Sequence, residues 1–222
     1  MTMRQPWDPS HSREMKAFTL VELLVVMGVI SLLAAAAVTG FKAIDRARGV
    51  TEAAYQIASA VELCRSEAIT RHTYVWLGLQ PTNNSGSADL LLGMVYSVDG
   101  SSTNTLPSNL MPLTKALTIQ SVALASVNTQ IASGFSGVDL STLGPSTPPF
   151  TFSIGNKIFN GPIITFMPLG EVTTNNTPAD TNGFDSSLGV ELRPTSGTQV
   201  LTNNFIELLI DGSVGIPTII RP

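Results

Sequence analysis

Three hydrophobic rhythms follow one another along the chain. Residues 18–38 are apolar almost throughout, interrupted by Thr19, Glu22, Gly28 and Ser31. A segment with no polar face is a helix meant for an apolar surround. As a helix it would be roughly 30 Å long at about 1.5 Å per residue, the thickness of a bilayer core. From Val50 the rhythm changes. Val50, Ala54, Ile57, Val61, Cys64 and Ala68 are spaced by four or three residues, which draws one apolar stripe along a helix. Glu52, Glu62, Arg65 and Glu67 lie off that stripe. The pattern predicts helix to about Arg71, closed by His72 and Thr73.

After residue 73 the chain reads as strands. Tyr74–Leu79, Leu90–Val98, Leu117–Leu124, Gly161–Met167, Leu188–Leu192, Asn204–Ile210 and Val214–Ile220 are the apolar runs. Residues 81–88 and the Asp99-Gly100 pair read as turns, and residues 133–149, rich in Gly, Ser, Thr and Pro, as a loop. The expected fold is α+β: a long N-terminal helix, its first half transmembrane, packed through its second half on a mostly antiparallel β domain. The expected divisions are a polar leader over 1–17, an apolar helical half over 18–38, an amphipathic half over 39–72 and the β-rich domain over 73–222. Thr39-Gly40 is the weak point of the helix, since a mid-helix glycine costs about 1 kcal/mol relative to alanine.

Composition adds little and excludes some things. Charged residues make up 13% of the 222, against about 25% in ordinary soluble domains. The net charge of −4 argues against a broad nucleic-acid or anionic-lipid surface. One cysteine, Cys64, allows no intrachain disulfide; it reads as a small buried residue of the stripe. Arg4, Arg13 and Lys16 precede the apolar segment and Lys42, Arg46 and Arg48 follow it, so basic residues do not set its orientation. A plain anchor and a secretory signal cut near Ala34–Ala37 both remain open. Against the second, signal h-regions span about 7 to 15 residues and lack an acid.

Glu22 is the only charged residue between Phe18 and Val38. An ionised group in hydrocarbon is costly, so it points to a function. Two readings stand. Locally, an acid at a helix N-terminus meets the positive end of the dipole. Between chains, a desolvated acid paired with an amine fixes register, because either charge alone costs several kcal/mol.

Lys16-Ala17-Phe18-Thr19-Leu20-Val21-Glu22 followed by the apolar helix resembles the class III signal of type IV pilins and type II secretion pseudopilins. The resemblance implies cleavage between Ala17 and Phe18 by a prepilin peptidase and N-methylation of Phe18. Glu22 would then pair with the Phe18 amine of a neighbouring subunit. The family usually has Gly before the cut; here it is Ala17. Further on, Ile164-Thr-Phe166-Met-Pro168-Leu-Gly170 and Ile206 to Asp211-Gly212-Ser213-Val214 are hairpin signals. In this order they resemble the globular domain of the minor pseudopilin H and FimT-like group, with Ser213 where Arg is common. Asn203-Asn204-Phe205 and Arg221-Pro222 also resemble D proteins of the Verru_Chthon cassette. The resemblance implies a single-pass protein of the bacterial inner membrane, N-terminus cytoplasmic and C-terminal domain periplasmic or extracellular. Its partners would be membrane lipid, the peptidase, other pilin or pseudopilin subunits and an inner-membrane assembly platform. Some FimT-like minor pilins capture DNA, but after Arg71 this chain has only Lys115, Lys157, Arg193 and Arg221, so no nucleic acid is expected, and no cofactor.

No signature of an enzyme emerges. There is no zinc-type Cys or His cluster, no Gly-x-Ser-x-Gly elbow and no phosphate-binding loop. Asp180, Asn182 and Asp185 form an oxygen-rich loop of the kind calcium uses, but without EF-hand spacing; a polar surface turn is the plainer reading. The rival function is a membrane-anchored exported binding module or enzyme, with the helix as a tether.

Overall fold

The structure is a computed structural model and describes residues 19–84, 86–102, 109–128, 135–143, 151–174 and 186–221, with the side chains of 36–47, 84 and 87 also left out of the description. The chain divides into two compact units, residues 1–43 and 44–222. Helix α1 runs over Leu20–Arg71, and its backbone stays helical through Thr39-Gly40. In the first unit, the described helical side chains from Leu20 to Ala35 are all exposed. Among the described residues no helix is long and apolar enough to cross a membrane. The span expected over 18–38 extends past both ends of these described side chains.

The second unit is α+β. The stripe read from the sequence is its core. Val50, Ala54, Ile57, Val61, Cys64 and Ala68 are all buried, joined by Ala53 and Ala60. Full burial of a Val or Ile stabilises by roughly 1.5–3 kcal/mol. That gain holds this helical half in place despite its small residues. The helix ends where the pattern predicts. The His72 amide donates to Ile69 O at 3.4 Å and the Thr73 amide to Ala68 O at 3.1 Å, with His72 at φ 51°. This is a Schellman cap with histidine in the left-handed position that glycine usually takes.

Two sheets cover the stripe. The first contains β1 (Val75–Asn84), β2 (Ser87–Ser97), β3 (Leu110–Pro112), β4 (Leu117–Ile119), β9 (Ile163–Phe166) and β10 (Val172–Thr173), in the order β10-β9-β1-β2-β3 with β4 also paired to β2. The second contains β5 (Val122–Ala125), β6 (Val138–Asp139), β11 (Ser187–Ser196), β12 (Gln199–Val200), β13 (Ile206–Asp211) and β14 (Pro217–Ile220), in the order β12-β11-β13-β14 with β5 and β6 on the far edge of β11. All pairings are antiparallel except β6 with β11. Alternation sends Val75, Leu77 and Leu79 of β1 and Val190 and Leu192 of β11 into the same core as the helix.

The outer face of the first sheet carries a second core. The hairpin β7 (Phe152–Ile154) and β8 (Lys157–Phe159) lies there and buries Trp76, Leu91, Val95 and Ile163 beneath Phe152 and Phe159. The two phenylalanine rings stack at 4.9 Å. Gly78 and Gly93 are register partners, and both are needed bare. A Cβ at Gly93 would lie 2.4 Å from Phe159 Cζ, and one at Gly78 would lie 2.8 Å from Phe152 Cζ.

Several expectations are corrected. Residues 81–88 are not a turn-rich connection. β1 and β2 carry through it, pairing Pro81 with Leu90 and Asn84 with Ser87, and Gly86 at φ 82° turns the chain. Leu117–Leu124 is two strands, not one. Ser121 at φ 58° breaks it, and its amide donates to Asp89 Oδ1 at 3.0 Å. β4 therefore joins the first sheet and β5 the second. The sheets meet again where the Val172 amide donates to Gly212 O at 2.7 Å and the Ala88 amide to Gly197 O at 3.0 Å.

Candidate assembly site

Thr19 opens the helix and Glu22 sits one turn in. The Glu22 amide donates to Thr19 Oγ1 at 3.2 Å. In return Glu22 Oε2 accepts from the Thr19 amide at 3.1 Å and from Thr19 Oγ1 at 3.0 Å. This reciprocal arrangement is a capping box, and it satisfies donors that the first helical turn leaves without partners. Thr19-x-x-Glu22 is a sequence signature of a helix start, yet Thr19 carries no role in the readings above. Ala17 and Phe18 lie outside the described residues. What the structure shows of Glu22 is its local role; its pairing with a neighbour's amine stays an expectation.

Around the capping box the helix is bare. Leu20 is 79% exposed and Leu33 62%, and the other large apolar side chains between them are also exposed. Contiguous apolar surface on this scale marks a face that lipid or other chains cover.

Cys64 is fully buried and its thiol is pushed up, mainly by burial and further by the Glu67 charge. No group of three or more His, Cys, Asp or Glu placed to hold a metal occurs among the described residues. Asp180, Asn182 and Asp185 lie outside them. A groove of about 930 Å³ runs beside the helix, lined by Tyr55, Leu63, Leu92, Met94 and Leu117 among others.

The two hairpin signals of the sequence converge. The Pro168-Leu169-Gly170 turn closes with the Gly170 amide on Met167 O at 2.8 Å. A Cβ at Gly215 would lie 2.7 Å from Gly170 O, and one at Gly170 would lie 3.0 Å from Ile69 Cδ1. Arg65 reaches from the helix to hydrogen bond Val214 O. Ser213, where the resembled group carries Arg, donates through Oγ and its amide to Asp211 Oδ1 at 2.6 and 2.8 Å. Those bonds hold the Asp211 carboxyl below its ordinary range.

Comparison with known proteins matches two stretches. Residues 13–38 match the prokaryotic N-terminal methylation motif, and residues 53–162 match the family of type II transport protein GspH. The chain is thus similar to prepilin-type proteins at its N-terminus and to GspH-type domains through its middle. The first match encloses the capping box and the expected cleavage point. The second runs from the buried helical stripe through β8, so it takes in β1 to β8 and stops before β9 and β10. The GspH family is structural, not enzymatic. No curated protein and no solved structure matches the chain. Neither match speaks to the likeness with Verru_Chthon D proteins.

Proposed function

We propose that this chain is a minor pilin or pseudopilin. It is cut between Ala17 and Phe18 by a prepilin peptidase and N-methylated at Phe18. It is held in the inner membrane through residues 18–38, with its β domain outside. It is then drawn by an assembly platform into a pilus-like or type II secretion filament. The observation that carries this reading is the uncovered apolar helix from Leu20 to Leu33 with one acid, Glu22, at its head. Lipid covers that helix first, and neighbouring helices cover it afterwards.

In the filament Glu22 meets the Phe18 amine of the adjoining subunit. The capping box is compatible with this. Both Thr19 bonds use Oε2, and the reading assigns Oε1 to the neighbour. Mass spectrometry of the mature N-terminus tests the processing step. Methylated Phe18 is the expected terminus; Met1 or Val38 there would overturn it.

A second reading, an exported binding module on a tether, draws on the groove beside Tyr55 and Leu63. Under it, Glu22→Ala leaves function intact. Under the filament reading, Glu22→Ala blocks incorporation.

A further inference from the structure

Two glutamates face each other inside the second sheet, beyond the span matched to GspH. Glu191 of β11 and Glu207 of β13 are register partners. Their neighbours Val190, Leu192, Ile206 and Leu208 belong to the helix-side core. By alternation both acids point to the opposite face. That face is closed, for both are 0% exposed. The cover is the strap that follows β5. The Asn128 amide donates to Glu207 Oε1 at 2.7 Å, and the Val127 amide to Asp139 Oδ2 at 3.1 Å. A Cβ at Gly189 would lie 2.8 Å from Phe135 and 2.9 Å from Val127, so glycine there lets the strap lie flat.

Glu191 Oε1 pairs with Arg193, whose guanidinium lies 5.7 Å from the Phe205 ring. Among the described residues, Glu191 Oε2 and Glu207 Oε2 have no hydrogen-bond partner. Directly opposed residues hold their Cβ atoms about 4.5–5.5 Å apart. One guanidinium therefore serves two buried acids. A buried carboxyl without a counter-charge neutralises rather than stay ionised. Burial pushes the Glu207 carboxyl above its ordinary value; the Asn128 amide opposes this and the Glu191 charge adds to it.

We propose that Glu191 and Glu207 share one proton, carried on Glu207 Oε2 and donated to Glu191 Oε2, and that this proton seals the 126–128 strap onto the second sheet. A single O–H···O bond satisfies both orphaned oxygens. Among the described residues the surroundings offer no other neutralising group. Residues 122–138 contain no titratable side chain. On β6, Asp139 is occupied by the Val127 and Ser141 amides. On β13, Asp211 sits at the exposed end and is bonded to Ser213. Arg221, just after β14, reaches Tyr55 instead.

The native protein then holds one proton more than the unfolded chain between the ordinary glutamate value, about 4.3, and the raised one. Stability is full below that window, falls by up to tenfold in the folding equilibrium per pH unit within it, and is flat above it. As the proton leaves, two opposed carboxylates drive Glu207 toward water. Asn128 loses its acceptor and the strap lifts.

Infrared titration of the full-length chain in detergent micelles tests this. A protonated-carboxyl band should persist above the ordinary carboxyl range and be missing from Glu207→Gln. Gln retains an acceptor for Asn128 and a donor for Glu191, so this variant should fold and lose the pH dependence of melting across the window. Glu191→Gln removes the opposing charge and should move the band's titration to lower pH. The proposal is overturned by a wild-type spectrum without the band, by a band that survives in Glu207→Gln, or by an unchanged melting profile in that variant.

Discussion

Thr19 and Glu22 cap the helix for each other, each accepting the other's backbone amide. An acid in an otherwise apolar segment thus has a role within its own chain, apart from the intersubunit pairing proposed for it. Both roles ask for a side-chain oxygen, but only one asks for charge.

That difference makes the two roles separable. Glu22→Gln keeps the capping geometry, since Gln serves in a capping box as Glu does. It removes the charge. Backbone amide exchange over Leu20–Leu23 in micelles should be unchanged in Glu22→Gln and faster in Thr19→Val. Filament incorporation should show the reverse, lost in the first and largely kept in the second. Normal incorporation of Glu22→Gln would remove the charge pair from the mechanism.

His72 holds a left-handed conformation at φ 51°, which a side chain with a Cβ adopts at a cost of about 1 kcal/mol. His72→Gly should therefore raise the stability of the second unit by about that amount. Chemical denaturation reads it directly, and a lower midpoint would mean that the imidazole has a structural task.

Cys64 is sealed against the core, with its thiol raised by burial. Reactivity needs the thiolate, so alkylating reagents should leave it untouched in the folded chain and label it in denaturant. Cys64→Ser puts an unpaired hydroxyl in the core and should destabilise by about 1–3 kcal/mol. Cys64→Ala should be milder.

Asp211 titrates the opposite way to Glu207. Ser213 holds its carboxyl below the ordinary range, so the turn gains from ionisation above that range and loses it as pH falls through the depressed value. The Ser213 amide resonance should follow an acid titration. Ser213→Ala should shift that titration upward.

Much of this was legible in the residues. The stripe from Val50 to Ala68 needed only helical spacing, and all six positions are buried. The helix end at Arg71, the domain class and the two Gly-bearing hairpins followed from the same rules. What was not legible depended on contacts distant in sequence. Residues 81–88 carry turn formers, yet pairing with the partner strand kept Pro81 to Asn84 extended. Leu117–Leu124 reads as one run in which Thr118 and Gln120 alternate with apolar residues, and nothing local says that Ser121 hands the chain from one sheet to the other. The Glu191–Glu207 pair was invisible because register, not spacing, brings the two together. The capping box was local and readable from Thr19-x-x-Glu22 alone.

The bare Gly78–Gly93 rung beneath Phe152 and Phe159 has an evolutionary corollary. The slot between rung and hairpin has room for a fixed bulk, so lineages should change these positions in compensating pairs. A methyl at position 93 alone overfills the slot, at about 1–3 kcal/mol. Joined to Phe159→Leu, it should recover part of that loss, giving a double-mutant coupling of at least about 0.5 kcal/mol. Related chains that carry alanine on this rung are then expected to hold a smaller side chain on the hairpin above it.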